Sequence, residues 1–163
     1  MSVRSALLAF VAIALLVGGG LLSQAVANER MPRDLGLTGL QRVELDLGEP
    51  GPSIGDVAVS DAVVTENGSS IGQGTSFSIV VRIDPAQQIE DRITSLGLTL
   101  GDGSTLLALG KTSGSEMDAD AGMNDARVLP IVGGTGSLAG LKGQVTLSRV
   151  GMAEFLITVD IVD

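Results

Sequence analysis

The stretch that decides the fold is LPIVGGTGSLAGLKGQVTLS, Leu129 to Ser148. Five glycines, Gly133, Gly134, Gly136, Gly140 and Gly143, fall within eleven residues, directly after an apolar run. Gly134–Ala139 satisfies G-x-G-x-x-G/A, the spacing with which a strand-turn-helix unit cradles a dinucleotide pyrophosphate. Such a cradle needs a crossover helix after the glycines, because parallel strands are joined by about a dozen residues or more. Here the chain passes from Gly136 through Ser-Leu-Ala-Gly-Leu-Lys-Gly straight into Gln144-Val145-Thr146-Leu147. The glycines therefore read as a sharp corner between two strands, where Cβ atoms would collide.

Outward from that corner the dominant period is two. Val57, Val59, Asp61 and Val63 alternate with Asp56, Ala58, Ser60 and Ala62. Ile71, Phe77, Ile79 and Val81 share one parity, as do Phe155, Ile157, Val159 and Ile161. Alternation rich in β-branched residues means half-buried strands. Glu66-Asn67-Gly68 is a type I′ hairpin turn, Gly101-Asp102-Gly103 joins two further apolar runs, and Gly51-Pro52 and Asp84-Pro85 mark breaks. The pattern predicts strands near 41–47, 55–65, 70–83, 92–100, 104–112, 127–132, 143–150 and 153–162, and only Ala86–Arg92 could make a helical turn. Eight consecutive antiparallel strands in roughly 125 residues make an all-β sandwich or a closed barrel, and a barrel of this size holds its own side chains or one small ligand.

The composition removes much chemistry. The 163-residue chain has no Cys, His, Trp or Tyr, and three Phe (Phe10, Phe77, Phe155). No Ser-His-Asp or Cys-His relay can be built, no disulfide, and no zinc site of the usual His/Cys kind. Acid–base work falls to Asp, Glu, Lys and Arg, with Ser and Thr as hydrogen-bonding helpers. A net charge of −9 repels nucleic-acid phosphates, and without Tyr or Trp few faces exist on which bases could stack.

Arg4, the apolar run Ala6–Val17 and the small-x-small Ala25-Val26-Ala27 read as a secretory signal peptide cut after Ala27. The chain then divides into residues 1–27, a polar linker over 28–38 with Pro32, and a β-domain over 39–163, exported from the cytoplasm. Two other readings stay open. Ala6–Leu22 is 17 residues without a charge, the lower limit of a membrane span, so residues 5–22 could anchor the chain; or a hydrophobic N-terminal helix could cover one barrel mouth.

Three short motifs fail or weaken on inspection. Gly110-Lys111-Thr112 resembles the end of a P-loop, but the pattern wants glycine where Thr105 stands. Asp118-Ala119-Asp120-Ala121-Gly122 resembles a calcium loop whose twelfth position falls on Leu129, so Thr112–Asp125 reads as an acidic surface loop. Asn67-Gly68-Ser69 fits a glycosylation sequon, yet the hairpin explains the same residues.

With the strands placed, two pieces carry a resemblance. IGDVAVSDAVVTENGSSIGQGTSFSIVV, Ile54–Val81, resembles the G-D…L-x-D-x-x-G-x-x-V-G-x-x-x-G pattern of the allene oxide cyclase and dirigent barrel superfamily. LPIVGGTGSLAGLKGQVTL resembles its I-x-G-G-T-G-x-[YF]-x-G-x-x-G signature, in the family's order and spacing, so the likeness covers about residues 40–163. It implies an eight-stranded antiparallel barrel, commonly oligomeric, with an interior ligand cavity. It also implies a cofactor-free device that folds a reactive, flexible substrate into one productive conformer. Members include plant cyclases of fatty-acid epoxides, dirigent proteins that steer phenolic coupling, and bacterial barrels that close polyketide rings by 4+2 cycloaddition. Leu138 replaces the signature's aromatic and tyrosine is absent, which points away from lignan coupling and allene-oxide chemistry.

The resemblance lays Val43-Glu44-Leu45-Asp46 against a strand whose Glu and Asn face the cavity, and period two independently puts Glu44 and Asp46 on one face. Glu44, Asp46 and Arg127 are the candidate catalytic residues; Asp61, Phe77, Arg82, Met152 and Phe155 are candidates for lining the substrate. The leading functional expectation is a cyclase or isomerase that encloses a mostly apolar, polyketide- or lipid-derived molecule and promotes ring closure. The competing one is a secreted barrel that binds a hydrophobic small molecule, or serves a structural role, without catalysis. The cyclase reading expects an apolar cavity of some 300 Å³ or more with polar groups at its rim.

Overall fold

The computed structural model describes residues 34–48, 50–87, 89–115 and 126–162. Eight strands follow one another: β1 (Asp34–Leu45), β2 (Val57–Glu66), β3 (Ser69–Asp84), β4 (Ile89–Leu100), β5 (Thr105–Ser115), β6 (Arg127–Gly134), β7 (Gly143–Gly151) and β8 (Glu154–Ile161). Each pairs antiparallel with the next, and β8 returns to β1, closing the sheet into a barrel. Closure leaves no edge strand exposed, and it decides between the two architectures the strand count allowed. The hydrophobic N-terminal segment, most of the linker and the calcium-loop motif lie outside the described residues.

Three boundaries differ from the sequence reading, each for a local reason. β1 starts at Asp34, inside the expected linker, with Leu35 fully buried opposite Ile157 and Leu37 opposite Phe155. Gly39 at φ +66° and a register shift between Thr38 and Gln41 break the alternation that would have revealed it. The helical turn expected at Ala86–Arg92 is instead a turn closed by Asp84, whose Oδ1 accepts the Ala86 and Gln87 N–H groups at 3.1 and 3.2 Å; β4 follows from Ile89. β5 runs on to Ser115, into the expected acidic loop.

The glycine-rich corner does what its sequence implied. Gly136 opens a 3-10 turn, Gly136–Leu138, at φ +61°, and Gly143 enters β7 at φ +142°, where a Cβ would lie 2.0 Å from the Asp160 carbonyl oxygen. Polar side chains tie the corner to the β4–β5 turn. The Thr105 and Thr135 hydroxyls meet at 2.7 Å, and the Ser137 N–H donates to Ser104 Oγ at 2.9 Å. Asp102 accepts the Ser104 N–H and hydroxyl and the Ser137 hydroxyl, which together hold its carboxyl below the usual carboxylate range. Leu138, completely buried, is thereby driven into that end of the barrel.

Registers sort the two faces, because residues directly opposite on antiparallel strands point the same way. The inner face at the glycine-corner end is filled by Leu35, Val64, Leu98, Leu106, Leu138 and Val159, all buried. Burying such a side chain is worth about 1.5–3 kcal/mol, so this half is the stabilising core. The outer face also carries apolar side chains: Val59, Phe77, Val81, Ile93, Leu109, Val128 and Val132 are exposed on β2 to β6.

Candidate functional site

At the opposite end of the barrel the inner face changes character. Glu44 lies opposite Ala58, Ala58 opposite Ser78, Ser78 opposite Thr94 and Thr94 opposite Gly110. The next inward row runs from buried Val80 to Arg92 and Thr112, and the one beyond it pairs Glu90 with Gly114. Small side chains (Ala58, Ser60, Ser76, Ser78) and Gly110 and Gly114 stand here in place of the leucines of the other half, with Leu129 and Pro130 packed over Gly110 and Arg127 over Gly114.

Glu90 and Arg92 form an ion pair inside this end. Arg92 Nε and Nη2 reach the same oxygen, Glu90 Oε2, at 2.8 and 2.7 Å, with the two side chains 6% and 15% exposed for Glu90 and Arg92 respectively. Glu90 Oε1 and Arg92 Nη1 are buried and have no hydrogen-bond partner among the described residues. Beside them the Thr94 and Thr112 hydroxyls bond each other at 2.8 Å. Arg127, on β6, faces inward as well: its Nη2 lies 3.4 Å from where a Cβ on Gly114 would be.

The rim is organised by carboxylates. Asp56 accepts the Leu47 N–H at 3.0 Å and the Ser53 N–H and hydroxyl at 2.7 and 2.8 Å, bonds that hold its carboxyl below the usual range, with the nearby Arg92 charge adding to the effect. Asp46 accepts the Gly48 and Gly51 N–H groups, so both acids shape the β1–β2 loop. A cleft of about 120 Å³ opens there, lined by Glu44, Leu45, Asp46, Asp56, Val57 and Arg92 among others. It is smaller than the cavity the cyclase expectation called for, and its lining mixes charged groups with the apolar Leu45 and Val57. Arginine N–H groups in such a place can polarise a carbonyl, and Glu44 can accept a proton. Among the described residues no three acidic side chains gather to hold a metal ion.

Of the residues singled out from sequence, Glu44 and Asp46 do meet at this cleft, though Asp46 is engaged by loop N–H groups and Glu44 pairs with Arg42. Arg127 joins them on the inner face. Phe155 packs half-buried against the core. The other four stand away from the interior. Asp61 is exposed opposite Gln41 and Thr75, Phe77 is 45% exposed on the outer face, and Met152 is 90% exposed in the β7–β8 turn. Arg82 is turned outward by a register shift after Val80 and pairs with Asp84 and Asp91. Asp91 in turn accepts Lys111 at 2.7 Å and Ser113 at 2.6 Å, which keep its carboxyl below the usual range.

Sequence reading missed Glu90, Arg92, Thr94 and Thr112. The signal was present: Glu90, Arg92 and Thr94 share a parity with Leu96, Leu98 and Leu100, so β4's buried face continues into a charged pair. Treating 86–92 as a helical turn hid it.

The strands form a closed eight-stranded antiparallel barrel, packed with leucines at one end and polar inside at the other. The chain is similar to a pyocyanin demethylase, with TM-score 0.67 and 21% identity over 79% of this chain and 98% of that one. It is similar also to a pterocarpan synthase dirigent protein, with TM-score 0.54 and 19% identity over 78% of this chain and 83% of that one. A third likeness is to a Diels Alderase from Streptomyces koyangensis, with TM-score 0.57 and 16% identity over 77% of this chain and 61% of that one. No protein-family model and no curated protein matches the chain. At these identities the likeness is one of fold, and it agrees with the resemblance carried by the Gly-Gly-Thr-Gly corner.

Proposed function

We propose that the barrel encloses a flexible, mostly apolar small molecule at its polar end and promotes ring closure by holding it in one conformer. The observation that carries this reading is the change of inner-face side chains along the barrel, from leucines to Ala58, Ser60, Ser76, Ser78, Gly110 and Gly114. Space bounded by a rigid barrel lowers the entropy cost of folding a substrate, and hydrogen bonds from the arginines at its edge would polarise a carbonyl on it. A 4+2 closure suits this chemistry: two carbon–carbon σ bonds form at the expense of two π bonds, and no proton or electron leaves the molecule. The similar structures bear the names of a demethylase, a dirigent protein and a Diels Alderase, so the fold alone does not choose the reaction.

Export by the signal peptide ending at Ala27 would place this activity outside the cytoplasm. The exposed apolar side chains on β2 to β6 favour a homo-oligomer that covers them. The test uses 1,7,9-decatrien-3-one, which carries a diene and an activated alkene on one chain. The full chain is expected to accelerate loss of its diene absorbance by about tenfold or more over buffer, giving a product of unchanged mass. Binding without acceleration would instead establish the competing reading, a non-catalytic barrel for a hydrophobic ligand.

A further inference from the structure

Every strand of the barrel has two neighbours, but β1 keeps its second neighbour only part of the way. It pairs with β8 from Asp34 to Leu37, and the Leu40 N–H still reaches the Ala153 carbonyl, in the β7–β8 turn, at 3.4 Å. There the hairpin ends, while β1 runs on beside β2 as far as Leu45. Residues 41–45, about 16 Å of strand, therefore pair on one side only among the described residues. They are exposed on both faces of the sheet. Val43, on the outer face, is 62% exposed, and Arg42 and Glu44, on the inner face, pair with each other along the strand.

A row of unpaired N–H and C=O groups is a template for another strand. Strand alternation says which groups face it. The Leu40 N–H points toward β8, so those of Arg42 and Glu44 point the same way, and that of Val43 points to Val59 on β2. Proteins guard such edges with charge, because like charges repel a copy. This edge carries opposite charges two residues apart, and an antiparallel copy centred on Val43 sets each against its opposite. We infer that residues 41–45 dock a second copy of this chain, edge to edge, about a two-fold axis through Val43. Arg42 then lies opposite the partner's Glu44, Glu44 lies opposite the partner's Arg42, and each of these pairs exchanges two backbone hydrogen bonds. The side chains leave a weak, exposed pairing along one strand for pairing across two. On the outer face the row Phe77, Val59, Val43 continues into its copy and covers Val43. Glu44 lines the rim cleft, so the partner's Arg42 becomes part of that cleft's wall.

This contact is separate from the apolar face on β2 to β6 and independent of the ligand reading. The test follows amide hydrogen exchange in the 15N-labelled full chain by NMR at about 20 µM and about 1 mM. An edge contact this small suits a dissociation constant of about 100 µM. By mass action the Arg42 and Glu44 amides should then exchange about fourfold more slowly at the higher concentration. The Val43 amide, bonded to β2, should be protected at both. Arg42→Glu and Glu44→Arg each set like charges across the axis, so each alone should associate about tenfold or more weakly and lose the concentration dependence. Mixed one to one, the two variants face opposite charges again, and protection at positions 42 and 44 should return. Both substitutions are at exposed side chains; if either chain fails to fold, the concentration series on the native chain decides alone. Association that leaves the Arg42 and Glu44 amides untouched belongs to the apolar face and overturns the inference. So does a single exchange rate at both concentrations, or a mixture of variants that associates no better than its parts.

Discussion

Removing one partner of the inner ion pair is the most informative perturbation of stability. In Arg92→Met, Glu90 keeps its place on the inner face, 6% exposed, but loses both N–H groups that its Oε2 accepts. Among the described residues its other oxygen has no hydrogen-bond partner to begin with, so the buried carboxylate is left without a hydrogen bond. Stranding a buried charge in this way costs about 3–5 kcal/mol, a large part of the roughly 5–15 kcal/mol that holds a domain folded. With a urea m-value of about 2 kcal/mol/M, the unfolding midpoint should drop by about 2 M. Far-UV circular dichroism in urea reads this directly. The double variant Glu90→Leu/Arg92→Met should recover most of the loss, because apolar side chains of similar volume replace a buried pair at little or no cost. A single variant that loses less than about 1 kcal/mol would refute the argument, since that is what a solvated surface pair is worth.

Three further outcomes follow from the same structure. Leu138→Ala empties a fully buried site beneath the glycine corner and should cost about 3–5 kcal/mol, seen as a fall of about 10–20 °C in the thermal midpoint; a fall of a degree or two would mean that the corner is not packed as described. Asp56 has a folded value below the ordinary 3.8, so the stabilisation it gives the β1–β2 loop is complete above that pH and is lost as pH falls through the folded value. The Leu47 and Ser53 amides should therefore lose protection from exchange in that acid range and not above it, and in Asp56→Asn they should be unprotected at both. Ser78→Leu fills the chamber from β3 and should weaken decatrienone binding by about tenfold or more while leaving the melting curve within a few degrees, whereas unchanged affinity would place the ligand elsewhere.

Much of the fold was legible because strand period and turn chemistry are local. Asn67, at φ +49°, makes the hairpin its sequence promised, and the glycine corner excluded a helix by the shortness of the chain that follows it. What period two cannot say is which parity faces inward. On β2 and β3 the large side chains Val59, Phe77 and Val81 point out, and the small ones, Ala58, Ser60, Ser76 and Ser78, point in. The larger apolar side chains there stand on the outer face, so hydrophobicity gave the strands and misled on the face, and Phe77 was sought in the cavity for that reason. Register shifts made the remaining differences. One after Thr38 concealed the first turn of β1, and one after Val80 sent Arg82 outward. Glu44 and Asp46 were found because neither feature intervenes between them. Glu90 and Arg92 were missed because charge in a strand looks like surface until closure of the barrel puts it inside.

The central claim is that a small molecule enters the polar end of the barrel and does not merely coat its apolar exterior. The inner and outer faces carry methyl groups that distinguish the two: Ala58, Thr94 and Thr112 inside, Val59, Val81 and Leu109 outside. Intermolecular nuclear Overhauser effects between decatrienone and methyl-labelled protein measure which set the ligand touches. The account predicts contacts to the Ala58, Thr94 and Thr112 methyls. Contacts confined to Val59, Val81 and Leu109 would contradict it.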